Sequence, residues 1–176
     1  MQRALFLFFL FAFSAVITSA EEAAPPVRVL IVTGVDYPGH KWKTTAPAVR
    51  QVLEDGGRME ARIVEDHEFL ACDAIFEYDV LFLHFKNYDP TQRAEAVQAN
   101  LTKFVRDGGG LVLYHFACGA FEPWAEFEQI AGRVWDQSKR AHDPRGPFTV
   151  NIVDRNHPIT RGMEDFETDD ELYTCL

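Results

Sequence analysis

GGGLVLYHFACGAFEPWAEFEQIAGRVW, residues 108–135, is the stretch whose reading decides the fold. Three glycines lead into Leu111-Val112-Leu113-Tyr114, an apolar run that stops on His115. Phe116 and a small-residue bend (Ala117, Cys118, Gly119, Ala120) then open onto a helix-like segment carrying Trp124, Phe127 and Ile130. Open parallel sheets build ligand sites in this way, with an apolar strand running through a tight turn into a helix at the strand's carboxyl end. A histidine and a thiol stand where such a site would form.

The same grammar recurs on either side. Residues 27–33 (VRVLIVT) read as a buried strand followed by Gly34. A helix capped by Thr44 or Thr45 is expected next, with Pro47 in its first turn and Val49, Val52 and Leu53 on one face, ending at Gly56-Gly57. Residues 59–64 alternate as a second strand, and 69–78 form a short connection of one or two helical turns. A third buried strand, 79–83, ends at His84. Pro90 and Thr91 open a second helix in which Ala94, Val97, Leu101, Phe104 and Val105 recur at helical spacing, and Asp107-Gly108 closes it. The fourth strand covers 111–115, the Trp124 helix follows, and 148–153 makes a fifth strand before the Asn156-His157-Pro158 turn. Strands alternating with helices of this length predict an α/β fold, a doubly wound, mostly parallel sheet with helices on both faces.

Residues 1–20 stand apart. Arg3 precedes a run of Phe, Leu and Ala, and Thr18-Ser19-Ala20 offers small residues for cleavage, the pattern of a secretory signal peptide. The run is shorter than the roughly 20 apolar residues of a membrane span. Cleavage after Ala20 leaves EEAAPP (21–26) as a disordered leader and one domain over 27–176, exported to the periplasm or secreted. The formal charge of −10 becomes −11 when Arg3 leaves with the signal. With no block of Lys or Arg against it, that balance argues against nucleic acid and membrane surfaces as partners; a homo-oligomer is compatible with it. Cys72, Cys118 and Cys175 are odd in number and far apart, which argues against a disulfide scaffold, leaves room for at most one bridge and one free thiol, and excludes a zinc knuckle.

Three strand ends carry unusual chemistry. After the first come Asp36, Tyr37, His40, Lys41, Trp42 and Lys43. After the third come His84, Lys86, Asn87, Tyr88 and Asp89, and after the fourth His115 and Cys118. In a parallel sheet these loops share one edge, so His40 and His115 are expected in one pocket. Gly34-Val35-Asp36-Tyr37 lacks the glycines of a phosphate-binding fingerprint. His40, His84, His115 and His142 are donor types that suit zinc or another divalent ion, yet no two have the i, i+4 spacing of a helical metal motif. A metal held by His40, His115 and His142 therefore stays open, and no other cofactor is indicated. Cys118 lies two or three residues past the strand end where an elbow nucleophile would sit. No His-x-Glu pair follows late in the chain, because Pro158 and Ile159 follow His157. A Cys-His-Glu triad is thus not expected. Asp170 and Glu171 precede Leu172 and Tyr173, so one of these carboxylates is expected to approach the site or orient a histidine.

Four segments together resemble a known family: GHKWKTTAPAVRQVLE (39–54), residues 108–135, HDPRGPFTV (142–150) and HPITRGMEDFETDDELYT (157–174). They are similar to the ThuA-like (trehalose-utilisation) domain of the class I glutamine amidotransferase-like superfamily. The resemblance implies a flavodoxin-like sandwich and a role in disaccharide and keto-sugar catabolism. It places pocket residues at His40, His115, His142, Asp170 and Glu171. It also implies two further strands and a Gly-His-Asp segment after DELY, so the C-terminal strands are expected to be missing from 27–176.

The leading reading is an exported carbohydrate-processing enzyme of hydrolase, lyase or isomerase type. His115 and His40 supply acid–base chemistry, since imidazole titrates near neutral pH, with Asp170 and Glu171 as catalytic carboxylates. Tyr37, Trp42, His84, Lys86, Asn87, Trp124 and His142 are the expected sugar-binding residues. The alternatives are a non-catalytic sugar-binding accessory domain and a truncated, inactive fragment. Release of ammonia from glutamine is not expected.

Overall fold

The computed structural model describes residues 24–89, 92–136, 138–139 and 142–174. The expected signal peptide and the first part of the leader lie outside the described residues, as do Pro90, Thr91 and Cys175. Strand β1 (Val27–Val32) leads to helix α1 (Trp42–Glu54) and β2 (Met59–Val64). Two 3-10 helices (His67–Ala71 and Asp73–Glu77) connect to β3 (Val80–Leu83), α2 (Ala94–Arg106) and β4 (Gly110–Leu113). A further 3-10 turn (His115–Gly119) precedes α3 (Ala125–Ala131), and β5 (Gly146–Val150) and β6 (Phe166–Asp170) close the order.

Four strands form one parallel sheet in the order β2-β1-β3-β4, the arrangement of a flavodoxin-like α/β fold. β1 is central, and its alternation decides the layers. Leu30 and Val32 point to one face, where Leu70, Ile75, Val97, Leu101 and Phe104 from the 3-10 helices and α2 cover them. Val29 and Ile31 point to the other, where they meet Ala46 of α1 with Val49 and Leu53 beside it. Both helices present these apolar residues at three- and four-residue steps, so each buries one stripe and leaves the other face to water. Where the chain leaves β1, Gly34 has φ +109°, and a Cβ there would stand 2.1 Å from the Glu65 carbonyl oxygen. Only glycine lets the loops after β1 and β2 pass this closely.

Three details depart from the pattern expected from sequence. The strand anticipated over 148–153 begins and ends earlier, and it does not join the parallel sheet. It pairs antiparallel with β6 as a separate two-stranded ribbon. Its connection carries no crossover helix, and such a connection gives an antiparallel neighbour. α1 begins at Trp42, and neither Thr44 nor Thr45 caps it. The Lys41 carbonyl accepts both threonine amides, at 2.8 and 3.1 Å, which puts Pro47 inside the helix. The fourth strand ends at Leu113, because His115 turns the chain with φ +52°.

The two sides of the sheet predict unequal costs. Leu30→Ala should lower unfolding free energy by about 2–5 kcal/mol, since it empties a fully buried position in the central strand. Val112→Ala on β4, 40% exposed, should cost less than about 1 kcal/mol. Urea denaturation of the two variants measures both, and equal losses would contradict this assignment of the core.

Candidate functional site

The strand order reverses between β1 and β3: the chain leaves β1 for β2 on one side and leaves β3 for β4 on the other. Loops separate at such a point, and ligand crevices form there. His40 lies in the loop after β1 and His115 directly after β4, and their ring centroids are 5.0 Å apart in an edge-on arrangement. A closed circuit of side chains includes them. His40 stacks on Tyr37 at 5.2 Å, and Tyr37 stacks on Tyr88 at 5.2 Å. On the other side His115 meets Tyr173 edge-on at 5.8 Å, and Tyr173 meets Trp135 at 5.5 Å. Lys86 completes the loop, its Nζ 5.6 Å from the Tyr88 ring and 5.7 Å from that of Trp135. Phe116 lies flat against His40 at 3.9 Å and stands edge-on to His115.

Local backbone explains why the rim faces outward. His115 occupies the left-handed region, uncommon for a side chain of its size, and it turns the end of β4 into the 3-10 segment with its ring exposed. Beneath it sits His84, only 1% exposed. The Thr33 hydroxyl donates to the His84 carbonyl at 3.0 Å and lies 3.1 Å from its Nδ1, while Thr45 Oγ1 lies 3.1 Å from Nε2. His84 stacks on Tyr114 at 5.2 Å and meets Phe116 edge-on. The ends of β1, β3 and α1 are thus tied through one buried imidazole.

Opposing electrostatic influences act on His40. Burial pushes the His40 pKa below the ordinary imidazole value, the neighbouring His115 charge lowers it further, and Glu171 acts the other way. Burial does the same to His84. Two imidazoles in contact resist double protonation, which favours the neutral form of His40. Glu171 receives the Tyr173 hydroxyl at 3.4 Å and stands 3.8 Å from His142 Nε2. His142 Nδ1 donates to the Asp143 carbonyl at 2.9 Å, which aims its Nε2 at Glu171. Burial and Glu171 both raise the Tyr173 pKa, so its hydroxyl stays protonated.

Tyr37, His40, Lys86, His115, His142 and Glu171 therefore come together from the residues expected in sequence. Others do not face the same space. His84 is buried with both ring nitrogens engaged and supports the rim instead of meeting a ligand. Trp42, expected to stack on a sugar, is 6% exposed, and its indole N–H donates to Asp36 Oδ1 at 2.7 Å. Trp124 packs on Phe121 and Phe127, on a different wall. Asn87 braces a loop, its Oδ1 accepting the Phe121 amide at 2.8 Å. Asp170 sits at the end of the ribbon opposite Gly146 and accepts the Glu171 amide at 2.8 Å, so Glu171 is the carboxylate at the rim. Among the described residues no three His, Cys, Asp or Glu side chains are grouped as a metal would require. Cys118 has its thiol pKa pushed up chiefly by burial, opposite to what an attacking thiolate needs. Phe116, Trp135 and Tyr173 are the rim residues that sequence reasoning passed over. Tyr173 had a signal, two residues after Glu171 in the same segment.

A family model described as ThuA, trehalose utilisation, matches residues 28–176. A ThuA-like protein from Parabacteroides merdae ATCC 43184 superimposes with a TM-score of 0.69 at 23% identity, covering 85% of this chain and 63% of its own. A second, from Bacteroides uniformis ATCC 8492, gives 0.68 at 21% identity, with 88% and 63% covered. At these identities the likeness concerns the fold, and the chain spans 63% of the length of each of those two proteins. No curated protein matches.

Titration followed by imidazole NMR should place the His40 midpoint below 6.5, the ordinary histidine value. His115→Gln removes a like charge and should move the midpoint up. Glu171→Gln removes an attractive one and should move it further down. A His40 midpoint unmoved by His115→Gln would mean that the two rings do not sense each other.

Proposed function

The chain belongs to the ThuA, trehalose-utilisation, family, and we propose that it processes a sugar by acid–base chemistry at the His40–His115 rim. The observation that carries this reading is the 5.0 Å contact between two imidazoles from loops 75 residues apart in sequence, one of them depressed toward its neutral form. His40 takes a proton from a sugar hydroxyl or from the carbon beside a sugar carbonyl, and His115 returns one to the oxygen that gains charge. The flat faces of Tyr37, Tyr88 and Trp135 suit the apolar faces of a sugar ring. Lys86 and Glu171 supply the polar contacts that fix its orientation. No step runs through Cys118, whose thiol burial holds protonated.

We also propose export. The argument rests on the charge, apolar run and small residues of 1–20.

Titration calorimetry with disaccharides and keto-sugars, paired with product analysis, tests the enzymatic reading. Wild type should give both heat and product. His115→Ala should lower turnover about 10²- to 10⁴-fold, the ordinary contribution of an acid–base residue. Cys118→Ala should keep turnover, at a stability cost of about 1–2 kcal/mol. Heat without product would make the chain a sugar-binding accessory domain, and neither heat nor product would end the sugar reading. Intact-mass analysis after expression in a secreting host should find Glu21 at the amino terminus; retained Met1 with membrane association would make 1–20 an anchor.

A further inference from the structure

Lys86 differs from the other charged residues of the strand-end loops. Its side chain is only 12% exposed, and the one carboxylate within 4 Å of its Nζ among the described residues is Glu122, at 3.9 Å. That is beyond hydrogen-bond distance, and no other described residue supplies an acceptor to the ammonium. Lys43, by contrast, pairs with Asp36 at 3.1 Å in open solvent. A charge withdrawn this far from water ordinarily has a partner at contact distance, because burial strips its hydration. Among the described residues the buried side-chain polar atoms without a partner are Thr102 Oγ1 and Thr174 Oγ1, so the unbonded Lys86 Nζ still reaches solvent at the rim.

The position of the ammonium is fixed by its surroundings. Gly119 is buried beside it, and a Cβ there would stand 3.0 Å from Lys86 Nζ, 3.1 Å from its Cδ and 3.1 Å from Trp135 Cβ. The bare glycine leaves the gap in which the lysine stem lies. Tyr88 and Trp135 flank Nζ with ring centroids at 5.6 and 5.7 Å. Their π faces attract the charge while leaving its N–H donors unused. The carboxylate of the rim, Glu171, is turned instead toward His142 and Tyr173.

We propose that Lys86 is an anion-recognition point, so that the rim takes a sugar bearing a carboxylate or phosphate group, docked on the ammonium between Tyr88 and Trp135. Such a group brings acceptors to contact distance and forms short charge-assisted bonds that a neutral hydroxyl cannot match. An ammonium already held in place loses little freedom when it binds. The chain carries a formal charge of −10, so its long-range field does not draw anions in, and selection comes from this contact. The inference rests on the sugar reading of the rim and names the class of sugar.

Calorimetry of the full chain with glucose, glucuronate and glucose 6-phosphate tests it. Wild type should bind at least one of the two anionic sugars about ten- to a hundredfold more tightly than glucose, the worth of a hydrogen bond to a charged group. Whichever anionic sugar binds better identifies the group as carboxylate or phosphate. Lys86→Met keeps the stem over Gly119 without the charge, and it should bring the anionic sugars down to the affinity of glucose. Glu122→Gln removes the competing carboxylate and should widen the preference, an effect that loss of packing would not produce. His115→Ala should weaken all three ligands. Equal affinity of wild type for the three, a preference for glucose, or an anionic preference that survives Lys86→Met would overturn the anion site while leaving the rim standing. Anionic preference intact with binding untouched by His115→Ala would overturn the rim and leave Lys86 standing. Failure of wild type to bind any of the three would overturn both.

Discussion

Everything in this protein hangs on β1 being apolar on both faces. A strand with Leu30 and Val32 on one side and Val29 and Ile31 on the other cannot lie at a surface, so helices must cover both sides of the sheet. Right-handed crossovers then send the chain to β2 on one flank and to β3 and β4 on the other. The reversal beside β1 leaves a gap at the carboxyl edge that no helix fills. Residues with no sequence relationship, in the loops after β1, β3 and β4, have to meet across it.

What meets there is held by an unusual division of labour between a buried imidazole and two outward ones. His84 is isolated from water, and its cost of burial is met by Thr33 and Thr45. Because those two threonines come from the end of β1 and the first turns of α1, the bonds that satisfy His84 also fix the loop carrying His40. Phe116 transmits the restraint, packed between the buried ring and the His40 ring. His40 is therefore pre-positioned by core polarity and needs no surface ion pair to hold it. The surface pairs, such as Lys43 with Asp36 or Arg145 with Asp169, are solvent-exposed and add little.

The antiparallel ribbon supplies the third side. An isolated bridge joins His142 to Tyr173, and the Asp143 amide donates to the Leu172 carbonyl at 3.1 Å. These contacts carry Glu171 and Tyr173 back against His115, more than fifty residues upstream. The carboxylate acts on two neighbours at once: it faces His142, and it favours the charged form of His40 against the pull of burial. Burial and the neighbouring His115 both disfavour protonation of His40 and Glu171 favours it, with the net effect below the ordinary imidazole value.

Local pattern sufficed for the parallel core. Apolar runs at 27–33 and 79–83 and the helical steps Val97–Leu101–Phe104 are properties of consecutive residues, and burial follows from them whatever the partner. The convergence of His40 and His115 was legible for the same reason, since parallel strands put their following loops on one edge. The fate of single side chains was not. Trp42 and His84 lie on that edge in sequence, yet both are buried: the indole ring is covered while its N–H still reaches the exposed Asp36 carboxylate, and the imidazole is held between two threonines. Trp124 went to another wall with Phe121 and Phe127. The ribbon's direction and the arrival of Tyr173 depended on contacts made across the chain, which no window of sequence contains. Sequence by itself determined which segments are buried and which edge collects the loops. Tertiary structure alone decided which side chains at that edge face the solvent, because exposure is set by neighbours in space and a residue's neighbours in sequence do not specify them.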